Sequence, residues 1–195
     1  MKSSERKTEI LTTAARLFKE KGYGAVSMRD LAAAVNIKAA SLYNHIQSKH
    51  EILKEIIMPL AHEYTSGMDV IYKSHQSSVH KLELVIEQHV DVSLQYPDSI
   101  ASLNNEWMNL EGETLNLFIA MRNDYETRFR DILTTGIHNG ELKPMNIELA
   151  VFTILGTLRT LHLWQRKKKN YKADALKLEL KNLLLNGVVT TLNKI

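Results

Sequence analysis

Apolar residues recur every three or four positions along most of the chain, the period of helices with one buried face. Over residues 6–22 the apolar positions Ile10, Ala14, Leu17 and Phe18 face charged neighbours on the opposite side, and Gly22 and Gly24 end the pattern. Ser27 opens a second helix with Asp30 three residues on as its capping partner, and its apolar face is Met28, Leu31, Ala32 and Val35. Asn36 closes that helix, because Asn tolerates the left-handed backbone of a tight turn. Ile37 follows as an apolar anchor, and a short third helix is expected at about 39–45. Ser48 and Glu51 open a fourth, running to about Tyr72, with Pro59 predicting a kink or a break near Met58.

Further helical patterns are expected at about 77–96, 99–109, 112–137, 146–168 and 172–193. No segment alternates with strand period, so the expected fold class is all-α. The last helix is apolar on two faces: Leu176, Leu180, Leu183, Leu184 and Val188 form one stripe, and Leu178, Leu185, Val189 and Leu192 another. A helix apolar on two faces must bury both, one on its own domain and the other on a partner, which predicts a homodimer, with a thicker monomer core as the alternative. The preceding helix offers Ile147, Val151, Ile154, Leu158 and Leu161 as a bundle seam, with Gly156 permitting close approach.

Charge refines this picture. Residues 1–50 hold nine Lys and Arg against four acids, net +5, while the other 145 residues are net −2. A positive head on a slightly negative body suits a protein that offers one end to a polyanion. The run from Arg166 to Lys169 reads as a solvated helix end. With no cysteine, disulfides and thiol chemistry are excluded. The first nine residues lack a signal-peptide core, and no apolar run approaches the ~18 residues of a membrane span. The expected location is cytoplasmic, with no membrane partner.

Helix, tight turn and short helix is the geometry that sets a second helix in the DNA major groove. Leu31, Val35, Ile37 and Leu42 would hold the pair together, which leaves polar or small residues facing outward. The stretch from Ser27 to Lys49 resembles the DNA-binding signature of TetR-family regulators. The matches are Leu31-Ala32, Leu42-Tyr43, His45 and Ser48-Lys49, preceded by Phe18, Gly22 and Tyr23. Asn36 stands where Gly is usual, Ile46 where Phe is usual, and Lys38 where Ser or Thr often caps the recognition helix.

The resemblance implies a DNA-binding domain over residues 1–50 and a helical ligand-binding and dimerisation domain over 51–195. It implies phosphate contacts from Ser27, Tyr43, His45 and Lys49, with packing as the alternative for His45. Arg29, Lys38, Ala39, Ser41 and Asn44 are the other groups of the DNA-facing surface. Asn44 suits adenine, and Lys38 or Arg29 suits guanine. The implied partners are a near-palindromic double-stranded operator, a second copy of the chain and an unidentified small-molecule effector.

Between about 100 and 165 the large apolar and aromatic residues include Trp107, Tyr125 and Phe129, with Arg122, Arg159 and His162 as polar points among them. The stretch 122–164 resembles TetR-family regulators of lipid metabolism that sense acyl-CoA, so these six residues are the candidate effector contacts. Simple core packing is the alternative reading. No Gly-x-Ser-x-Gly, phosphate loop, dinucleotide fingerprint or His-Glu-x-x-His is present: after His62-Glu63, position 66 is Ser66. The expectation is therefore a regulator without catalytic residues, cofactor or metal. A non-regulatory DNA-binding protein and a helical enzyme are the rival classes.

Overall fold

The computed structural model describes residues 2–165, 171–186 and 188. Among them the regular structure is helical: α1 Lys2–Lys21, α2 Met28–Ala34, α3 Ala39–Leu42, α4 Lys49–Lys73, α5 Ser78–Gln95, α6 Ser99–Asn105, a 3₁₀ turn Trp107–Asn109, α7 Gly112–His138, α8 Ile147–Gln165 and α9 Ala173–Leu185. The all-α expectation holds. The run 166–169 and the positions Val189 and Leu192 lie outside the described residues.

The helices group into two compact units. The first comprises residues 1–62 with 96–120, and the second 63–95 with 121–195. Helices α4 and α7 each begin in the first unit and end in the second. In the first unit α1 buries Ile10, Ala14, Leu17 and Phe18, as its periodicity predicts. It packs on α2 and on α6. Pro59 does not break α4, which is continuous through it. Its missing N–H costs one internal hydrogen bond, which the surrounding buried residues Ile56, Ile57, Met58, Leu60 and Ala61 offset.

The second unit is built on an apolar cluster that includes Met68, Leu82, Ile86, Phe129, Leu133, Leu155 and Leu158. Helix α5 packs on both α8 and α9. Lys177 on α9 meets Asp91 on α5 at 2.7 Å, and Lys181 pairs with Glu87. One detail of the expected dimer seam is corrected here. Val151, Ile154, Leu158 and Leu161 face the chain's own core, as do Leu176, Leu180 and Leu185. The apolar residues left outward are Leu149, Phe152, Leu163 and Trp164 on α8, and Leu178 and Leu183 on α9. A second correction concerns α8. Its segment Ile147–Trp164 is long and apolar enough, by length and composition alone, to cross a membrane. Its inward face belongs to the second unit's core.

Candidate nucleic-acid interface and polar core cluster

The helix-turn-helix forms as the side chains dictate. Ser27 Oγ accepts from the Asp30 amide at 3.2 Å, and the Asp30 carboxylate accepts from the Ser27 amide at 2.8 Å, a reciprocal capping box. The Ser27 hydroxyl, which donates to that carboxylate at 2.6 Å, and then the Ser27 amide hold the Asp30 carboxyl below the usual carboxylate range. Asn36 has φ of 55°, the left-handed turn its side chain tolerates. Leu31, Ala32, Val35 and Leu42 are buried against the rest of the unit.

The outward surface is polar. Ser27, Arg29, Lys38, Tyr43 and Asn44 are exposed, while Ala39, Ser41, His45 and Lys49 are half-buried. Tyr43 is 53% exposed although its neighbour Leu42 is fully buried. Lys38 sits at the N-cap of α3 and its side chain makes no capping bond there. The recognition helix is shorter than expected: it ends at Leu42, and Tyr43 to His45 continue as a turn.

Lys49 is bonded within the protein. Its Nζ donates to the carbonyls of Tyr23 at 3.0 Å and Val26 at 2.9 Å. It also lies 4.2 Å from the centroid of the Tyr23 ring, a cation–π distance. The Tyr23 amide donates to Glu106 Oε1 at 3.2 Å. Burial, with Glu111 and Glu106 adding to it, pushes the Tyr23 phenol up to about 12. Arg6 plays a comparable part at the other turn, donating to the Val35 carbonyl at 2.9 Å. Lys19 pairs with Asp98 at 2.8 Å, and His50 with Glu111 at 2.6 Å.

The six candidate effector residues do not form one group. Trp107 belongs to the first unit, where its ring stacks on Phe118 at 5.6 Å. The other five belong to the second. Arg159 meets Glu126 at 2.7 Å and Arg122 meets the same carboxylate at 3.4 Å, so both guanidinium groups already face an acid. Those contacts hold the Glu126 carboxyl low against the opposing effect of its burial. His162 is buried, with Nδ1 3.0 Å from the Arg159 carbonyl. Phe129 is wholly buried.

Tyr125 leads to residues that sequence reasoning missed. Its hydroxyl lies 3.0 Å from His89 Nε2, and the His89 ring lies 4.6 Å from that of Tyr64. Burial, with the Arg159 charge adding to it, pushes the His89 imidazole down to about 3, so the ring is neutral near pH 7. Burial raises both phenols as well. His89 Nδ1 is buried without a partner within the protein. The available signal was a histidine in phase with the apolar stripe Leu82, Val85, Ile86 and Val90. Among the described residues no three His, Asp or Glu side chains are placed to hold a metal ion.

Residues 10–56 match the family described as bacterial regulatory proteins, tetR family. Residues 75–188 match the tetracyclin repressor-like C-terminal domain. The chain belongs to the TetR family of transcriptional regulators. It is similar to the HTH-type transcriptional repressor KstR2 of Rhodococcus jostii (strain RHA1), at 24% identity over 97% of this chain and 94% of that protein. Over 34% of its length it is 37% identical to IcaR, the negative regulator of the biofilm operon icaADBC in Staphylococcus aureus, covering 42% of that protein. In fold it matches the structure of the ketosteroid transcriptional regulator KstR2 of Mycobacterium tuberculosis, with a TM-score of 0.88, 21% identity and 95% of each chain covered. AibR in complex with isovaleryl coenzyme A and operator DNA shares the fold with a TM-score of 0.71 and 22% identity, over 91% of this chain and 97% of AibR. The TetR-family chain described here is thus a DNA-binding regulator of the helix-turn-helix class.

Proposed function

We propose that the chain is a dimeric, effector-released repressor whose DNA-reading surface is formed by Ser27, Arg29, Lys38, Ala39, Ser41, Tyr43, Asn44 and His45. The observation that carries this reading is the two-sided character of the helix-turn-helix: Leu31, Ala32, Val35 and Leu42 are buried, and Ser27, Arg29, Lys38 and Asn44 are exposed on the other side with Tyr43 standing out. Ser27 and Tyr43 bind phosphates, and Lys38, Arg29 and Asn44 read base edges. His45, half-buried, serves at the margin. The functional boundary falls near residue 50, at the start of α4, with effector binding and dimerisation carried by 51–195.

The effector is small, largely apolar and lipid-like, and is held within the second unit among Tyr125, Phe129 and their neighbours. The 122–164 stretch and the neighbours named above support that class. Its coupling to DNA follows from two-state physics: an effector weakens DNA binding only by favouring the arrangement that does not bind DNA. No catalytic role is assigned. We place the protein in the cytoplasm, where a bacterial chromosome is found.

Duplexes selected by the purified protein from a random-sequence library, followed by affinity measurements with variants, test the proposal. Asn44→Ala or Lys38→Ala should cost about 1–3 kcal/mol and relax the preference at one base position. Tyr43→Phe should weaken all duplexes alike. A screen of fatty acids, acyl-CoAs and ketosteroids against the selected complex should find release by an apolar member. Failure to select any duplex would overturn the DNA-reading assignment, and release only by hydrophilic ligands would overturn the effector class.

A further inference from the structure

The proposed DNA surface rests on two turns, one before α2 and one before α3, and both turns are fastened by cations. At the first, the ammonium of Lys49 commits two of its three N–H groups to the carbonyls of Tyr23 and Val26, and sits against the Tyr23 ring. Val26 immediately precedes Ser27, the N-cap of α2. The Tyr23 ring is itself fixed, edge-on to Phe18 with centroids 5.1 Å apart. From the other side the Tyr23 amide is held by Glu106, whose second oxygen accepts from Asn109 at 3.0 Å.

We infer that Lys49 is a positioning residue, which with Glu106 clasps the Tyr23 turn and so sets the pose of α2 and α3, rather than a phosphate-binding cation. This rests on the DNA-reading role proposed above. The two roles make opposite demands. A phosphate contact works by displacing counterions, so its loss lowers affinity and flattens the salt dependence together. A clasp works on the protein's own backbone, so its loss lowers affinity and leaves the salt dependence unchanged. Glu106 separates the roles further, by sign. Removing an acid from a DNA-binding unit should strengthen binding through the general field. Removing one arm of a clasp should weaken it.

The experiment is a salt titration of affinity for a duplex selected by the parent protein, with thermal melting of each variant to follow folding. Lys49→Met should bind roughly tenfold more weakly, through the loss of two charge-assisted bonds that hold the turn. The slope of log affinity against log salt should equal that of the parent. Lys49→Arg, which can still reach both carbonyls, should recover most of the affinity. Glu106→Ala should also bind more weakly, with an unchanged slope. A slope reduced by about 0.9 in Lys49→Met would make it a phosphate contact and overturn the clasp. Tighter binding by Glu106→Ala would overturn it equally, and decides the matter if Lys49→Met does not fold. A parent that selects no duplex removes the DNA-reading role itself, a result distinct from either.

Discussion

His89 is held far from its ordinary chemistry by its surroundings. It is packed between Tyr64 on α4 and Tyr125 on α7, with the Arg159 charge of α8 nearby, and burial holds it neutral. The folded state therefore resists protonation down to about pH 3, whereas the unfolded chain takes up a proton near pH 6.5. Between those values the unfolded state binds more protons, so stability falls as the pH falls. The contribution is fully present above pH 6.5 and is lost progressively below it. A single group of this kind gives at most about 1.4 kcal/mol per pH unit. Thermal melts between pH 7 and 5, where most carboxylates stay ionised, should show the parent losing stability. His89→Gln should show a flatter profile, and equal slopes in the two proteins would remove His89 as the cause. Little of this was legible in advance. The heptad-like spacing marks position 89 as buried, but spacing alone does not tell which tyrosines from distant helices will enclose it.

At the scale of elements, the legible features were those made by neighbours in sequence. The capping box of Ser27 and Asp30, the left-handed Asn36 and the buried face of α1 all follow from residues within one or two turns of each other. Ser27→Ala should cost about 1 kcal/mol of stability in chemical denaturation, the usual loss for an N-cap. The illegible features depend on contacts distant in sequence. Lys49 and Glu106 converge on Tyr23 from 26 and 83 positions away. Pro59 predicted a kink or a break in α4, and the helix runs through it unbroken.

Glycines show the same division. A Cβ on Gly136 of α7 would lie 2.7 Å from the Leu142 side chain and 2.8 Å from Ser78, whereas one on Gly156 of α8 would meet nothing within the chain. Gly136→Ala should therefore destabilise by about 1–3 kcal/mol through overpacking. Gly156→Ala should raise the intrinsic helix preference of α8 by up to about 1 kcal/mol. Calorimetry on the two variants reads the contrast, and equal effects would contradict the packing described for α7.

At the scale of the whole molecule, what needs explaining is the apolar surface left outside the core of the second unit. Leu149, Phe152 and Leu163 follow one another at helical spacing on α8 with Gly156 between them. Phe152 is 76% exposed, and Leu183 on α9 is 77% exposed. Soluble monomers rarely leave large apolar side chains grouped in this way. TetR-family repressors often bind operator DNA as dimers, and a second copy of the same face is a self-complementary occupant under two-fold symmetry. The sequence pattern indicated that these two helices carry surplus apolar residues, and the seam it named on α8 is buried in the chain's own core. Leu158, in the regular seam, is 2% exposed and belongs to the chain's own core. The two assignments are separable by experiment. Phe152→Lys combined with Leu183→Lys should leave the chain folded, because both side chains face outward, and should yield monomers in sedimentation velocity. Leu158→Ala should instead lose about 2–5 kcal/mol of stability through the cavity it leaves. The double lysine variant should also lose operator affinity by more than about a hundredfold, since two recognition helices about 34 Å apart must dock together and a monomer supplies one. That loss should occur although the substitutions add positive charge, which by itself favours DNA. A double variant that remained dimeric would move the interface away from α8 and α9. One that became monomeric yet held the operator as tightly as the parent would show that dimerisation is not what aligns the two half-sites.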